Sequence, residues 1–382
     1  MRTWADIRFE ALAANLAALK KRLAPGGGLL LPVKADAYGH GAAQISLWAE
    51  ELGVGWLGVA SLDEATSIRR AGVRARLLLF GPLPDLGLAE LVAWRVTPTL
   101  CSVDDALRWA RAAPGVPAHV EIDTGMGRGG FDWRRVTEVA RLAGIAGLVC
   151  EAAYTHFAAA ETEPAFTIAQ DERFRRLLAD LAGRGLRFPM VHLSNSAALL
   201  LHPGRPEDLA RPGIAVYGAL RETGVRPDVA REFRPVLEWW APVVQVREFL
   251  PGDTVGYGRT ARIETPTRAA LLGVGYGDGY PRSQVASGFV LLGGERCPLL
   301  GRVSMDLVMV DVGRAGAVRE GDAALLVGEA PGLSAEEVAA RSGTISYELL
   351  TGIRSRVERR YLRGAGGRER AEPLARGAVQ TA

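Results

Sequence analysis

Short apolar runs alternate with longer amphipathic stretches over roughly the first 220 positions. The runs fall at 29–33, 54–60, 75–80, 96–101, 119–123, 148–156, 190–194 and 214–217. A continuous apolar run of this length suits a strand buried on both faces. Between the runs, apolar residues recur at helical spacing, as at Phe174, Leu177, Leu178 and Leu181. Ser61-Leu62-Asp63-Glu64 reads as a capping box, and Ser102 as the cap of a helix running through Ala106 and Trp109. Strands alternating with helices predict a parallel sheet with right-handed crossovers. Eight such units predict an α/β fold closed as a (β/α)8 barrel of the TIM type. No G-x-G-x-x-G follows the first run, which argues against a dinucleotide-binding sheet.

The texture changes after Arg231. Alternating and β-branched segments dominate at 243–249, 269–274, 289–292, 307–312 and 323–327, with turns at Pro251-Gly252-Asp253, Leu292-Gly293-Gly294-Glu295 and Glu320-Gly321-Asp322. One short helix is opened by Ser334-Ala335-Glu336-Glu337. The expected organisation is a barrel domain over 1–231, a mainly antiparallel β domain over 232–363 and a flexible tail over 364–382, rich in Gly, Arg and Ala.

Composition narrows the function classes. The 382 residues are 48% hydrophobic and 23% charged, and 46 basic residues against 43 acidic ones leave a formal charge of +3. That near-balance, without a basic block, argues against nucleic acid as a partner. Cys101, Cys150 and Cys297 are too few and too scattered for a disulfide framework or a zinc site, so no metal is expected. No secretory leader or membrane-length apolar run is visible, and the expectation is a cytoplasmic protein away from membranes.

The candidate chemistry sits where a barrel puts it, at the C-terminal ends of the strands. Only three lysines occur, Lys20, Lys21 and Lys34, and Lys34 stands where the first run ends. A lysine amine can lose its proton and attack a carbonyl, whereas arginine stays protonated. An ordinary strand-end lysine is the competing reading. The loop Asp123-Thr124-Gly125-Met126-Gly127-Arg128 suits an anionic ligand or is a plain barrel loop. His156 ends the sixth run. Asn195-Ser196 opens a helix, and Arg211-Pro212-Gly213-Ile214 introduces the last expected strand. Ser196 with the N–H groups of Gly213 and Ile214 forms a candidate phosphate cradle, or Ser196 is simply an N-cap. Tyr257 lies between Gly256 and Gly258, in a frame poorly suited to packing.

Taken together and in order, these motifs resemble the alanine racemase family from about Trp4 to Tyr361, with Val33-Lys34-Ala35-Asp36-Ala37-Tyr38-Gly39-His40-Gly41 as the most specific stretch. The resemblance implies an enzyme that interconverts L- and D-alanine with pyridoxal 5′-phosphate (PLP) and supplies D-alanine for peptidoglycan. It implies that Lys34 carries the cofactor as a Schiff base and acts as one base. Tyr257, reaching across from the partner subunit of a homodimer, is the second. Tyr38, Ser196, Gly213, Ile214 and Tyr347 would hold the phosphate, Arg211 the pyridine nitrogen, and His156 would link Arg211 to the tyrosine. Arg128 and the Met305 N–H would hold the substrate carboxylate. Tyr276, Arg282, Arg302, Ile345 and Glu161 would line the access channel.

Glu121 stands where many members carry a carbamylated lysine. The expectation is that its carboxylate replaces the carbamate and orients Arg128 directly. The competing functions are a broader amino acid racemase, a related PLP decarboxylase and a non-enzymatic PLP-binding protein. The decarboxylase's usual cysteine motif is not evident, and the glycine-framed Tyr257 favours racemisation.

Overall fold

The structure is a computed structural model that describes residues 2–220, 224–364 and 369–370. Except for those last two residues and Gly364, the expected tail at 364–382 lies outside the described residues.

Parallel strands Gly28–Pro32, Trp56–Val59, Arg76–Leu79 and Val96–Thr97 pair in that order on one side of the first sheet. On the other side the order is Thr99–Leu100, Pro117–Asp123, Val149–Tyr154, Met190–His192 and Leu209–Ala210, and the last pairs back to Gly28–Pro32. Pro98 has no N–H to give to a ladder and splits one run into Val96–Thr97 and Thr99–Leu100. Each half pairs with a different neighbour, so the sheet closes on itself as an eight-membered parallel barrel. Ser61 and Ser102 cap their helices as expected. The Glu64 side chain does not complete the box, because its two oxygens accept from the N–H groups of Ala35 and Ala60 instead.

The eighth strand is not where periodicity put it. Residues Ile214–Tyr217 form a 3-10 turn, and the strand is Leu209–Ala210. All four residues of the turn are buried. An apolar run that is buried all round has no period to separate strand from turn. The Val216 carbonyl accepts from the Asn15 side chain, and the Tyr217 hydroxyl donates to the Pro32 carbonyl. Arg211 therefore follows the last barrel strand rather than preceding it.

The second sheet is mainly antiparallel. Strands Thr267–Leu272, Val308–Asp311, Glu295–Leu300, Phe289–Leu292, Ala323–Val327 and Leu237–Phe249 pair in that order, and Leu237–Phe249 pairs again with Thr267–Leu272, closing a ring of six. Trp4–Arg8, at the chain's N-terminus, joins this sheet, antiparallel to Leu237–Phe249 and parallel to Glu358–Arg363. The first strand thus ties the two halves together. The Thr3 hydroxyl reinforces the tie by donating to the Trp240 carbonyl and accepting from the Trp239 indole.

The two halves meet on the segment after Lys34. Residues Ala35, Asp36, Ala37 and Tyr38 are all left-handed, with φ between 51° and 55°. Such a turn costs about 1–2 kcal/mol per non-glycine residue, and nothing in Ala-Asp-Ala-Tyr announces it. The surroundings hold it in place. Glu64 accepts from Ala35 N at 2.7 Å, the Asp36 carboxylate accepts from Ala42 N at 2.8 Å, and Arg359 Nε donates to the Gly39 carbonyl at 3.0 Å. Gly39 has φ +82°, and a Cβ there would lie 2.1 Å from the Leu350 carbonyl oxygen. Gly39→Ala should therefore destabilise the chain by at least about 1–3 kcal/mol. A lowered thermal midpoint by circular dichroism would register the effect, and an unchanged midpoint would show that the two halves are not locked at this contact.

Candidate active site

Lys34 leaves the barrel directly after Gly28–Pro32 and Val33, with Nζ 5.9 Å from the centre of the Phe80 ring. Burial and then the charge of Arg128 push its ammonium below the usual lysine range, while Glu64 pulls the other way. Arg128 itself is exposed on its glycine loop. His156 is pushed down to about 3, first by burial and then by Arg211, Arg128 and Lys34. These mutual influences gather residues from four parts of the chain at one end of the barrel.

Arg211 is the centre of that end and is buried. Its Nη1 donates to His192 Nδ1 at 2.7 Å, and its Nη2 to the carbonyls of Thr155 at 2.6 Å and Leu193 at 3.1 Å. His156 Nδ1 is a longer contact at 3.4 Å. Among the described residues nothing accepts from Arg211 Nε, which leaves one donor for a ligand. A neutral His156 beside Arg211 makes the arginine the only cation of the pair.

Asn195, not Ser196, caps the helix Ser196–Leu201, by accepting from Ala198 N. The Ser196 hydroxyl instead accepts from Ala215 N at 3.2 Å and keeps its proton to donate. No acceptor among the described residues faces the N–H groups of Gly213 and Ile214. A Cβ on Gly213 would lie 2.5 Å from the Tyr38 hydroxyl, so only glycine lets that phenol close over the turn. Burial raises the Tyr38 phenol to about 12, keeping it a donor. Its ring stacks on Tyr217 at 5.0 Å and meets Tyr347, from the second half of the chain, at 6.0 Å. A hydroxyl pair and two open backbone N–H groups form a cradle for a phosphate dianion.

Other expected residues lie apart from this cluster. Tyr257 is 70% exposed and Met305 53% exposed on the second half of the chain. Tyr257 stands on a 3-10 turn between Gly256 and Gly258, both left-handed, with Arg302 against the glycines. Among the described residues the Met305 N–H has no acceptor, while its carbonyl accepts from Gly277 N. Arg356 ties Asp278 to Asp306 at 2.6 and 2.5 Å and so braces the two loops that carry Tyr276 and Met305. Tyr276, Arg282, Arg302, Ile345 and Glu161 are all exposed.

The expected pairing of Glu121 with Arg128 is absent among the described residues. Glu121 is buried, and its Oε2 contacts Cys101 Sγ at 3.6 Å. Gly130 explains this: its backbone packs so closely on Glu121 that a Cβ there would lie 2.8 Å from the Glu121 carbonyl oxygen and 2.9 Å from Cγ. The loop is bound to the strand beneath it, while Arg128 projects outward.

Sequence reasoning missed Glu64, Thr155, His119 and His192. The chain has only five histidines, and two of them on inward-facing barrel strands were the available signal. Among the described residues no cluster has the makings of a metal site, and no helix is long and apolar enough to cross a membrane.

Comparison with known proteins agrees along the whole chain. Residues 7–221 match the family described as alanine racemase, N-terminal domain, and residues 236–361 match alanine racemase, C-terminal domain. An alanine racemase of Desulfosudis oleivorans is 37% identical over 380 residues, covering 95% of this chain and 97% of the relative. One of Symbiobacterium thermophilum is 39% identical over 375 residues, covering 94% and 97%. The solved structure of an alanine racemase from Clostridium difficile 630 superposes with a TM-score of 0.90 at 31% identity, covering 95% of this chain and 96% of that one.

Proposed function

The chain belongs to the alanine racemase family, and from that membership we propose how its residues divide the interconversion of L- and D-alanine. PLP dependence comes with the family, and the residues present fit the group: Gly213 and Ile214 offer open N–H groups beneath the Tyr38 hydroxyl, in a space that a Cβ at 213 would fill. Tyr38, Ser196, Gly213, Ile214 and Tyr347 hold the phosphate. Bound PLP supplies the electron sink that makes the Cα proton of an amino acid acidic enough to remove.

The rest is the work of the protein. Arg211 offers only donors and keeps its proton, so it would leave the ring nitrogen of a bound cofactor unprotonated. That weakens the sink and favours prompt return of the proton to Cα. Lys34 would hold the cofactor, and its amine would move a proton on one face of Cα. The partner subunit's Tyr257 moves a proton on the other. Arg128 and the Met305 N–H orient the substrate carboxylate. Tyr276, Arg282, Arg302, Ile345 and Glu161 form the rim through which alanine arrives. The proposed organisation is a barrel domain over 1–231, whose first strand Trp4–Arg8 is lent to the second sheet, and a β domain over 232–363, working as a homodimer that supplies D-alanine for peptidoglycan.

The observation that carries this reading is the meeting of one partly buried lysine, one buried arginine with a spare donor and one open phosphate cradle at the same strand ends. Purified protein should convert L-alanine to D-alanine without releasing carbon dioxide. Carbon dioxide release would instead identify a decarboxylase, and faster turnover of larger amino acids a broader racemase.

The depressed ammonium of Lys34 gives a pH prediction with a definite sign. The Arg128 charge lowers it, so removing that charge raises it toward the ordinary value. For Arg128→Leu apoprotein, the pH midpoint for recapturing PLP should move upward, as read by visible absorbance after mixing. A downward or absent shift would remove Arg128 as a cause.

A further inference from the structure

Arg211 is a buried cation with no carboxylate within ion-pair distance among the described residues. Its strongest side-chain partner is His192, and behind His192 lies a chain of polar groups that the reaction does not otherwise use. Arg211 Nη1 stands 2.7 Å from His192 Nδ1. His192 Nε2 stands 3.0 Å from His119 Nδ1. His119 Nε2 faces Glu151 Oε2 at 3.5 Å, a charge–dipole contact longer than a good hydrogen bond. Arg76 then grips Glu151 through both oxygens at 2.6 Å each.

Donor chemistry leaves one proton arrangement for this chain. Guanidinium nitrogens only donate, so His192 Nδ1 accepts. Neutral His192 therefore carries its proton on Nε2 and donates to His119 Nδ1. Neutral His119 in turn carries its proton on Nε2, aimed at the carboxylate. Burial favours the neutral form of both rings. Strand register pairs His192 with Tyr154 and His119 with Ala152, so the imidazoles occupy successive levels inside the barrel. Tyr154 stacks on His192 at 4.6 Å, Trp56 packs on His119 at 4.9 Å, and Arg76 lies over Trp56 at 4.0 Å. Both rings are thereby packed on one side by an aromatic neighbour, with their own planes 56° apart. Hydrogen bonds in series polarise one another, and low-dielectric surroundings strengthen the effect.

We propose that His119 and Glu151 are positioning residues for racemisation: acting through His192, they hold the imidazole that accepts from Arg211 in its accepting form and so fix the direction in which the guanidinium points. This rests on the reading of Arg211 as the partner of the coenzyme ring. A merely structural polar core would bury the same residues in the same tautomers, but it would not make turnover depend on the Glu151 charge at unchanged stability.

The experiment has a spectroscopic arm and a variant arm. In holoenzyme with 15N-labelled histidine, His192 and His119 should both appear as neutral Nε2–H tautomers at neutral pH. An Nδ1–H tautomer or a protonated ring at either position would overturn the proposal. Glu151→Gln keeps the shape and removes the charge. It should lower kcat by about tenfold, with little change in KM for alanine, and should convert His119 to a tautomer mixture. His119→Gln retains an acceptor toward His192 and a donor toward Glu151 and should keep most of the activity that His119→Leu loses. Unchanged kcat and tautomers in Glu151→Gln, or equal kcat in the two His119 variants, would sink the idea. If His119→Leu does not fold, the tautomers and Glu151→Gln decide the matter. Failure of the underlying reading has a separate signature: Arg211→Lys holoenzyme would keep the wild-type visible spectrum while the tautomers remained as stated.

Discussion

Lys34→Ala should abolish racemisation, with kcat/KM falling by a factor on the order of 10⁴ or more. Two losses coincide in this variant. The protein can no longer attach its cofactor, and one face of the substrate loses its proton carrier. No neighbour can substitute, because the other lysines, Lys20 and Lys21, lie at the end of the Phe9–Lys20 helix, and Lys20 Nζ donates to the Leu52 carbonyl. The nearby cation, Arg128, keeps its proton. The fold should survive, since the turn after Lys34 is held by Glu64, Asp36 and Arg359 through groups other than the lysine amine. Following both alanine enantiomers with time, alongside the thermal midpoint, separates lost chemistry from lost structure. Racemisation within tenfold of wild type would remove Lys34 from the catalytic role.

Tyr257→Phe should lower turnover by about 10²–10⁴, the usual worth of a positioned acid–base group. Within one chain this phenol is 70% exposed and, among the described residues, makes no hydrogen bond to the Lys34 cluster. That exposure is hard to reconcile with a role inside the same chain and accords with a role across a symmetric dimer. Mixing the two inactive variants, Lys34→Ala and Tyr257→Phe, tests this directly. A mixed dimer would have one site with both defects and one with neither, so random exchange should restore about a quarter of the wild-type activity. Mixtures that remain inactive after confirmed subunit exchange would mean that the site is not shared. The exposed Met305, Tyr276 and Ile345 on the same half of the chain make this surface the natural one to be covered.

Where sequence reasoning erred, the errors have physical causes. The apolar run 214–217 reads as a strand because it is apolar throughout, and a segment buried on every side carries no periodicity to tell a strand from a turn. Ser196 is no error but a choice between two readings, a helix cap or a phosphate ligand. The neighbouring Asn195 took the capping role and left Ser196 free for the second. Glu121 and Arg128 are close in sequence and opposite in charge, yet the backbone at Gly130 packs on Glu121 and the two do not pair. The strand Trp4–Arg8 has no counterpart among the expected runs, because its partners lie more than 200 residues away.

The sequence by itself determined the alternation that closes a parallel barrel, the change of texture near residue 231, and the isolation of Lys34 at a strand end among arginines. These are local properties: period, turn chemistry and residue type are written in neighbouring positions. The tertiary structure alone decided the left-handed turn from Ala35 to Tyr38, the open N–H groups of Gly213 and Ile214 beneath a phenol from another segment, and the burial of Arg211 against His192. Each of these depends on contacts between residues far apart in the chain. Their energies exist only once separate segments of the chain have packed together, and no pattern of neighbouring residues encodes them.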